Sequence, residues 1–140
     1  MAASRTRIGV AVALLAAALL GGGCHGKPEI GPTATVGELT VAIETDPAPA
    51  TVGHDNTLRF RISNAGGPLS GAMVAVTTRF LGLNRDGPTG EAFEASPGVY
   101  EWPGVSTAMA GKWSATVTVT PPGGSPQTAT LGFNVAKEEE

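Results

Sequence analysis

One cysteine in 140 residues excludes a disulfide within the chain and any cysteine-cluster zinc site. Two histidines are too few for a histidine-rich metal centre or a histidine-based catalytic network. Aromatic residues are scarce, at 5%, and charged residues make up only 15%. Nine Lys and Arg stand against twelve Asp and Glu, a formal net charge of −3. The basic footprint that nucleic-acid binding requires is missing, so no nucleic-acid partner is expected. After Leu20 no stretch carries a 3.6-residue hydrophobic period, which excludes a helical core. No glycine-rich phosphate loop leads into a helix, and nothing matches a nucleophile elbow or a zinc-peptidase helix. The chain is not expected to be an enzyme, and no catalytic residue and no cofactor is assigned.

Abundant glycine and proline, 20 and 11 residues, mark a turn-rich single domain. The first two dozen residues differ from the rest. Arg5 and Arg7 form a short positive segment, and the run from Ile8 to Leu20 is wholly Ile, Val, Leu, Ala and one Gly. Thirteen residues are too few for a helix across a hydrocarbon core, which takes about 20. They fit the apolar region of a secretory signal peptide. Gly21, Gly22 and Gly23 follow, and then Cys24. This stretch resembles a bacterial lipoprotein signal: an aliphatic residue, small residues, and the cysteine that receives lipid. Leu20 stands four before Cys24, where the pattern has its aliphatic residue three before. The resemblance implies cleavage before Cys24, loss of residues 1–23 and lipid attachment at Cys24. It also implies a membrane partner through that anchor. His25 follows where an aspartate would resemble an inner-membrane retention signal, so the outer membrane is favoured, with the domain facing the periplasm.

Residues 24–37 are dominated by Gly, Pro and Thr and read as a flexible tether. From Glu38 the period becomes two. Leu39, Val41 and Ile43 alternate with polar or small residues, as do Leu58, Phe60 and Ile62. Val74, Val76 and Phe80 share a phase, as do Trp113, Ala115, Val117 and Val119, and then Leu131, Phe133 and Val135. Shorter candidates lie around Glu91 to Ala95 and Val99 to Trp102. Such alternation gives strands with one buried and one wet face. Between them stand turn formers: Asp46-Pro47-Ala48-Pro49, Asn64 to Pro68, Asn84-Arg85-Asp86-Gly87-Pro88, Ser96-Pro97-Gly98 and Pro121 to Gly124. The spacing predicts an all-β fold, an immunoglobulin-like antiparallel β-sandwich of about seven strands over residues 38–136, followed by an acidic tail at 137–140. A small open barrel is the alternative.

Ser70-Gly71-Ala72-Met73-Val74, Pro97-Gly98-Val99-Tyr100 and Met109-Ala110-Gly111-Lys112-Trp113 occur in an order and spacing that resembles the YtkA-like domain family and its FixH-like relatives. That resemblance implies a bacterial envelope location and, for many members, a context of copper or heavy-metal transport. Metal-binding members often carry Met and His after the first motif, where this chain has Thr77 to Asn84 with neither. The reading is therefore a lipid-anchored accessory or binding module, with an envelope protein as a possible partner near a transport assembly. The alternative is copper or heavy-metal handling.

Soft sulfur and imidazole donors suit copper. Beyond Cys24 the chain offers His25, His54, Met73 and Met109. A site from His54 and Met109 requires their loops to meet at one end of the sandwich. With at most two donors converging, no metal site is assigned, and copper binding no tighter than micromolar is expected. Glu91, Glu94 and Glu101 read as a solvated face, Trp113 as core and Trp102 as nearer an edge. Leu81 and Leu83, close to Arg79 and Arg85, either fold back on the sandwich or form a docking surface.

Overall fold

Period-two alternation becomes ten strands in the computed structural model, which describes residues 30–53 and 55–137. Cys24, His25, His54 and residues 138–140 lie outside the described residues. The strands are β1 (Thr33–Val36), β2 (Leu39–Asp46), β3 (Ala50–Thr51), β4 (Asp55–Asn64), β5 (Gly67–Pro68), β6 (Met73–Phe80), β7 (Arg85–Ser96), β8 (Val99–Ser106), β9 (Gly111–Thr120) and β10 (Gln127–Ala136). Seven of them, β2, β4 and β6 to β10, are the strands expected from the alternation. The other three are two to four residues long, too short to show a period.

Hydrogen bonding runs in the order β1-β2-β4-β8-β7-β6-β9-β10-β3, with β5 beside β4. Every pairing is antiparallel except that of β3 with β10. β7 belongs to both layers. Its residues from Arg85 to Ala92 pair with β6, and those from Phe93 to Ser96 pair with β8. The two layers are thus one curled sheet folded onto itself. The inward residues of both form a single core, in which Val41, Leu58, Phe60, Tyr100, Val117 and Leu131 are fully buried.

The first half of β7 contains Asp86-Gly87-Pro88, expected as a turn. It is a strand because its partner bulges: the β6–β7 register shifts between Thr77 and Arg79. A proline lacks the ladder donor and is tolerated at such a bulge. Thr78, buried at the shift, donates its hydroxyl to the Pro88 carbonyl at 2.7 Å. Gly87 must be glycine for space, since a Cβ there would lie 2.5 Å from both Thr78 Oγ1 and the Trp113 ring.

The open side opposite β7 is stitched by the chain leading into β1. Gly132 N–H donates to the Gly31 carbonyl at 2.8 Å, and Ile43 N–H to the Pro32 carbonyl at 2.9 Å. One short segment therefore bonds to β10 in one layer and β2 in the other. Gly132 permits the approach, because a Cβ would sit 2.3 Å from the Ile30 carbonyl oxygen. This stitch lies before Glu38, where the alternation begins. Residues Thr33 to Val36, expected in the tether, pair with Leu39 to Ala42 as a hairpin.

Two of the three family-like motifs, Ser70 to Val74 and Pro97 to Tyr100, meet at one end of the sandwich. Buried Tyr100 donates its hydroxyl to the Leu69 carbonyl at 2.7 Å and accepts from Ala72 N–H at 3.1 Å. Burial raises the Tyr100 pKa above its ordinary value. The Glu94 carboxylate accepts from Gly71 N–H at 2.9 Å and Gly98 N–H at 3.3 Å, tying two turns together. Glu94 is therefore a clamp and not merely part of a solvated face. Glu101 likewise accepts from Arg59 Nε at 2.8 Å, while Glu91 is exposed.

The Gly71 amide holds the Glu94 pKa below its ordinary value of 4.5. A carboxylate whose pKa is depressed on folding stabilises the fold at pH values above its unfolded pKa, and this is lost as pH falls through the folded one. Urea melts at pH 7 and pH 3 should show Glu94→Gln less stable than wild type at pH 7, with the gap narrowing in acid. A gap independent of pH would count against the clamp.

Candidate functional site

At the other end, β4 begins, β8 ends and β9 begins, and the loops joining them converge on one side chain. Asn56 is fully buried. Its Oδ1 accepts from Thr51 N–H at 2.9 Å, and its Nδ2 donates to the Thr51 carbonyl at 3.0 Å and the Val105 carbonyl at 3.1 Å. Thr107 Oγ1, also buried, lies 3.5 Å from Nδ2. The loop approaching β4 is thereby fastened to the segment leaving β8. Strand pairing reinforces the link, with Asp55 opposite Ser106 and Asn56 opposite Val105. Asn56 was not singled out from sequence, although it shares the phase of Leu58, Phe60 and Ile62 and so points inward with them.

Gly53 and Asp55 flank His54 in this loop, and Met109 is three residues beyond Ser106. The juxtaposition that a His54–Met109 site requires is present in the backbone on both sides of it. Met109 is half-buried against the core, and its carbonyl accepts from Trp113 Nε1–H at 2.9 Å. Met73 is excluded from any such site. It begins β6, opposite Thr120 at the far end of β9, and is 70% exposed. The ten residues of β9 separate the two methionines by about 30 Å, at ~3.3 Å per residue. Among the described residues no group of three or more His, Cys, Asp or Glu is placed to hold a metal ion.

Beside these loops is an open cleft of about 800 Å³, lined by Ile30, Ile43, Pro49, Leu81, Trp113 and Phe133, with Lys112 also on its wall. Trp113 anchors its floor. The indole is buried, with ring centroids 5.4 Å from Phe80 and 6.2 Å from Phe133. The two leucines of the following turn divide. Leu81 folds back onto the cleft, its N–H bonded to the Lys112 carbonyl at 3.0 Å, whereas Leu83 is 62% exposed. Arg79 braces the turn through Asp86 at 2.5 Å and the Asn84 carbonyl at 2.9 Å.

This arrangement of strands has counterparts among solved structures. The fold is similar to that of FetP and PmoD. A copper-bound variant of FetP from uropathogenic Escherichia coli aligns with a TM-score of 0.57 at 15% identity, over 75% of this chain and 94% of that one. FetP as isolated aligns with a TM-score of 0.54 at 16% identity, over 75% and 93%. The soluble domain of PmoD from a Methylocystis species aligns with a TM-score of 0.52 at 16% identity, over 76% and 98%. At such identity the likeness establishes the fold. No protein-family model matches the chain, and no curated protein matches it by sequence.

Proposed function

We propose that the chain is a lipid-anchored copper-handling module on the periplasmic side of the bacterial envelope. In this reading it holds the ion weakly and passes it on. The observation that carries it is the Asn56-fastened junction, which brings the loop containing His54 and the segment containing Met109 to one end of the sandwich. Support comes from the similar fold of FetP, one variant of which is copper-bound. Imidazole and thioether are suitable copper(I) donors, and two of them make a weak, open site. An open site suits transfer to an acceptor, and the accessory role beside a transport assembly fits within it. No catalytic step belongs to the proposal. The YtkA-like resemblance of the three turn motifs points the same way.

Titration of copper(I) against a calibrated chelator tests the site, using a Cys24→Ser, His25→Ala background to remove adventitious donors. The expected result is binding in the micromolar range that weakens at least about tenfold in either His54→Ala or Met109→Leu. Affinity unchanged by both substitutions would overturn the proposal.

A further inference from the structure

We infer that the cleft end of the sandwich lies against the bilayer, with the Leu81–Arg85 turn in its interfacial layer. The inference rests on the lipid-anchor reading above. Cys24 is six residues before Ile30. Six residues span at most about 20 Å when fully extended. Ile30 is held in place, since the next two carbonyls bond to Gly132 and Ile43, and it lines the cleft. The short tether therefore leaves this end close to the acyl chains, while the opposite end stands about 30 Å further off, the length of β9.

The chemistry of this end matches that position. Leu83, 62% exposed at the tip of its turn, and Ile30, 45% exposed, present apolar side chains beyond the sandwich. Exposed Arg85 stands two residues after Leu83, and Arg79 sits at the base of the turn. Leucine beside arginine is the pairing that enters the headgroup boundary, with the apolar group toward the acyl chains and the cation near phosphate. The turns at the opposite end, Asn64 to Gly67 and Pro121 to Ser125, hold no large aliphatic side chain. Among the described residues, the other exposed large apolar side chains, Met73 and Phe93, stand on outer faces of strands.

The test uses full-length lipidated protein in vesicles of phosphatidylethanolamine and phosphatidylglycerol. Acylation occupies Cys24, so a new cysteine at Leu83→Cys or Ala65→Cys carries a fluorophore at one site only. Quenchers on the lipid chains should quench the label at 83 severalfold more than that at 65. Equal quenching in protein that remains on the vesicles would overturn the orientation while leaving the anchor intact. Protein that does not partition onto the vesicles, matching a Cys24→Ser control, would overturn the anchor and the inference with it. Protection at 83 in native membranes but not in pure lipid would identify a protein as occupant and also overturn it.

Discussion

Trp113→Ala should lower unfolding free energy by about 3–5 kcal/mol, the range for removing a buried large aromatic. The side chain is 3% exposed, packs against Phe80 and Phe133, and donates its indole N–H to the Met109 carbonyl. Truncation leaves a void at the cleft floor and removes the indole partner of that carbonyl. Trp102 is half-buried, followed by Pro103 where β8 loses register with β4. Trp102→Ala should therefore cost less. Urea melts of both variants at pH 7 decide the order, and a larger loss at Trp102 would show that the core is centred elsewhere.

Asn56→Ala should cost about 2–5 kcal/mol, although it deletes only a small polar side chain. The substitution withdraws, from a fully buried position, the acceptor of Thr51 N–H and the donor to the Thr51 and Val105 carbonyls. Each buried polar group left unsatisfied costs roughly 1–3 kcal/mol. The same change frees the His54 loop from the Met109 segment, so copper affinity should fall even though no donor is removed. Denaturant melts give the first effect and chelator titration the second. A loss under about 1 kcal/mol would mean that the loops are fastened by strand pairing alone.

How far the sequence could be read depended on the length of each signal. Five strands announced themselves because each carries three or more apolar residues in phase, as Leu58, Phe60 and Ile62 do, whereas β7 and β8 showed only as short stretches around Glu91 to Ala95 and Val99 to Trp102. β1, β3 and β5 carry no such series: β1 and β5 are too short and pair with the adjacent β2 and β4, while β3 pairs with β10 far along the chain. The first half of β7 was hidden by Gly87 and Pro88, which signal a turn locally but serve a bulge and a close-packed indole here. Buried polar residues were legible in principle: Asn56 and Thr78 occupy core phases, and a polar group there implies a buried partner. Which partner was not legible, because Val105 and Thr107 lie some fifty positions from Asn56. The same holds for the candidate site. Residue types pointed to His54, Met73 and Met109, but only the order of strands separates Met73 from the other two segments.

The stitch at Gly31 and Pro32 also bears on mechanics. A domain held by its N-terminus at a moving membrane receives every lateral tug through the residues that enter the fold. A terminal hairpin strand pulled alone would peel from its neighbour one hydrogen bond at a time. In this protein the incoming chain is bonded to Gly132 on one layer and Ile43 on the other before it reaches β1. A pull at Ile30 is thus divided between both layers, which β7 joins on the far side. In the proposed anchored form, force entering at the N-terminus meets the whole sandwich in parallel, and β1 is shielded from unzipping.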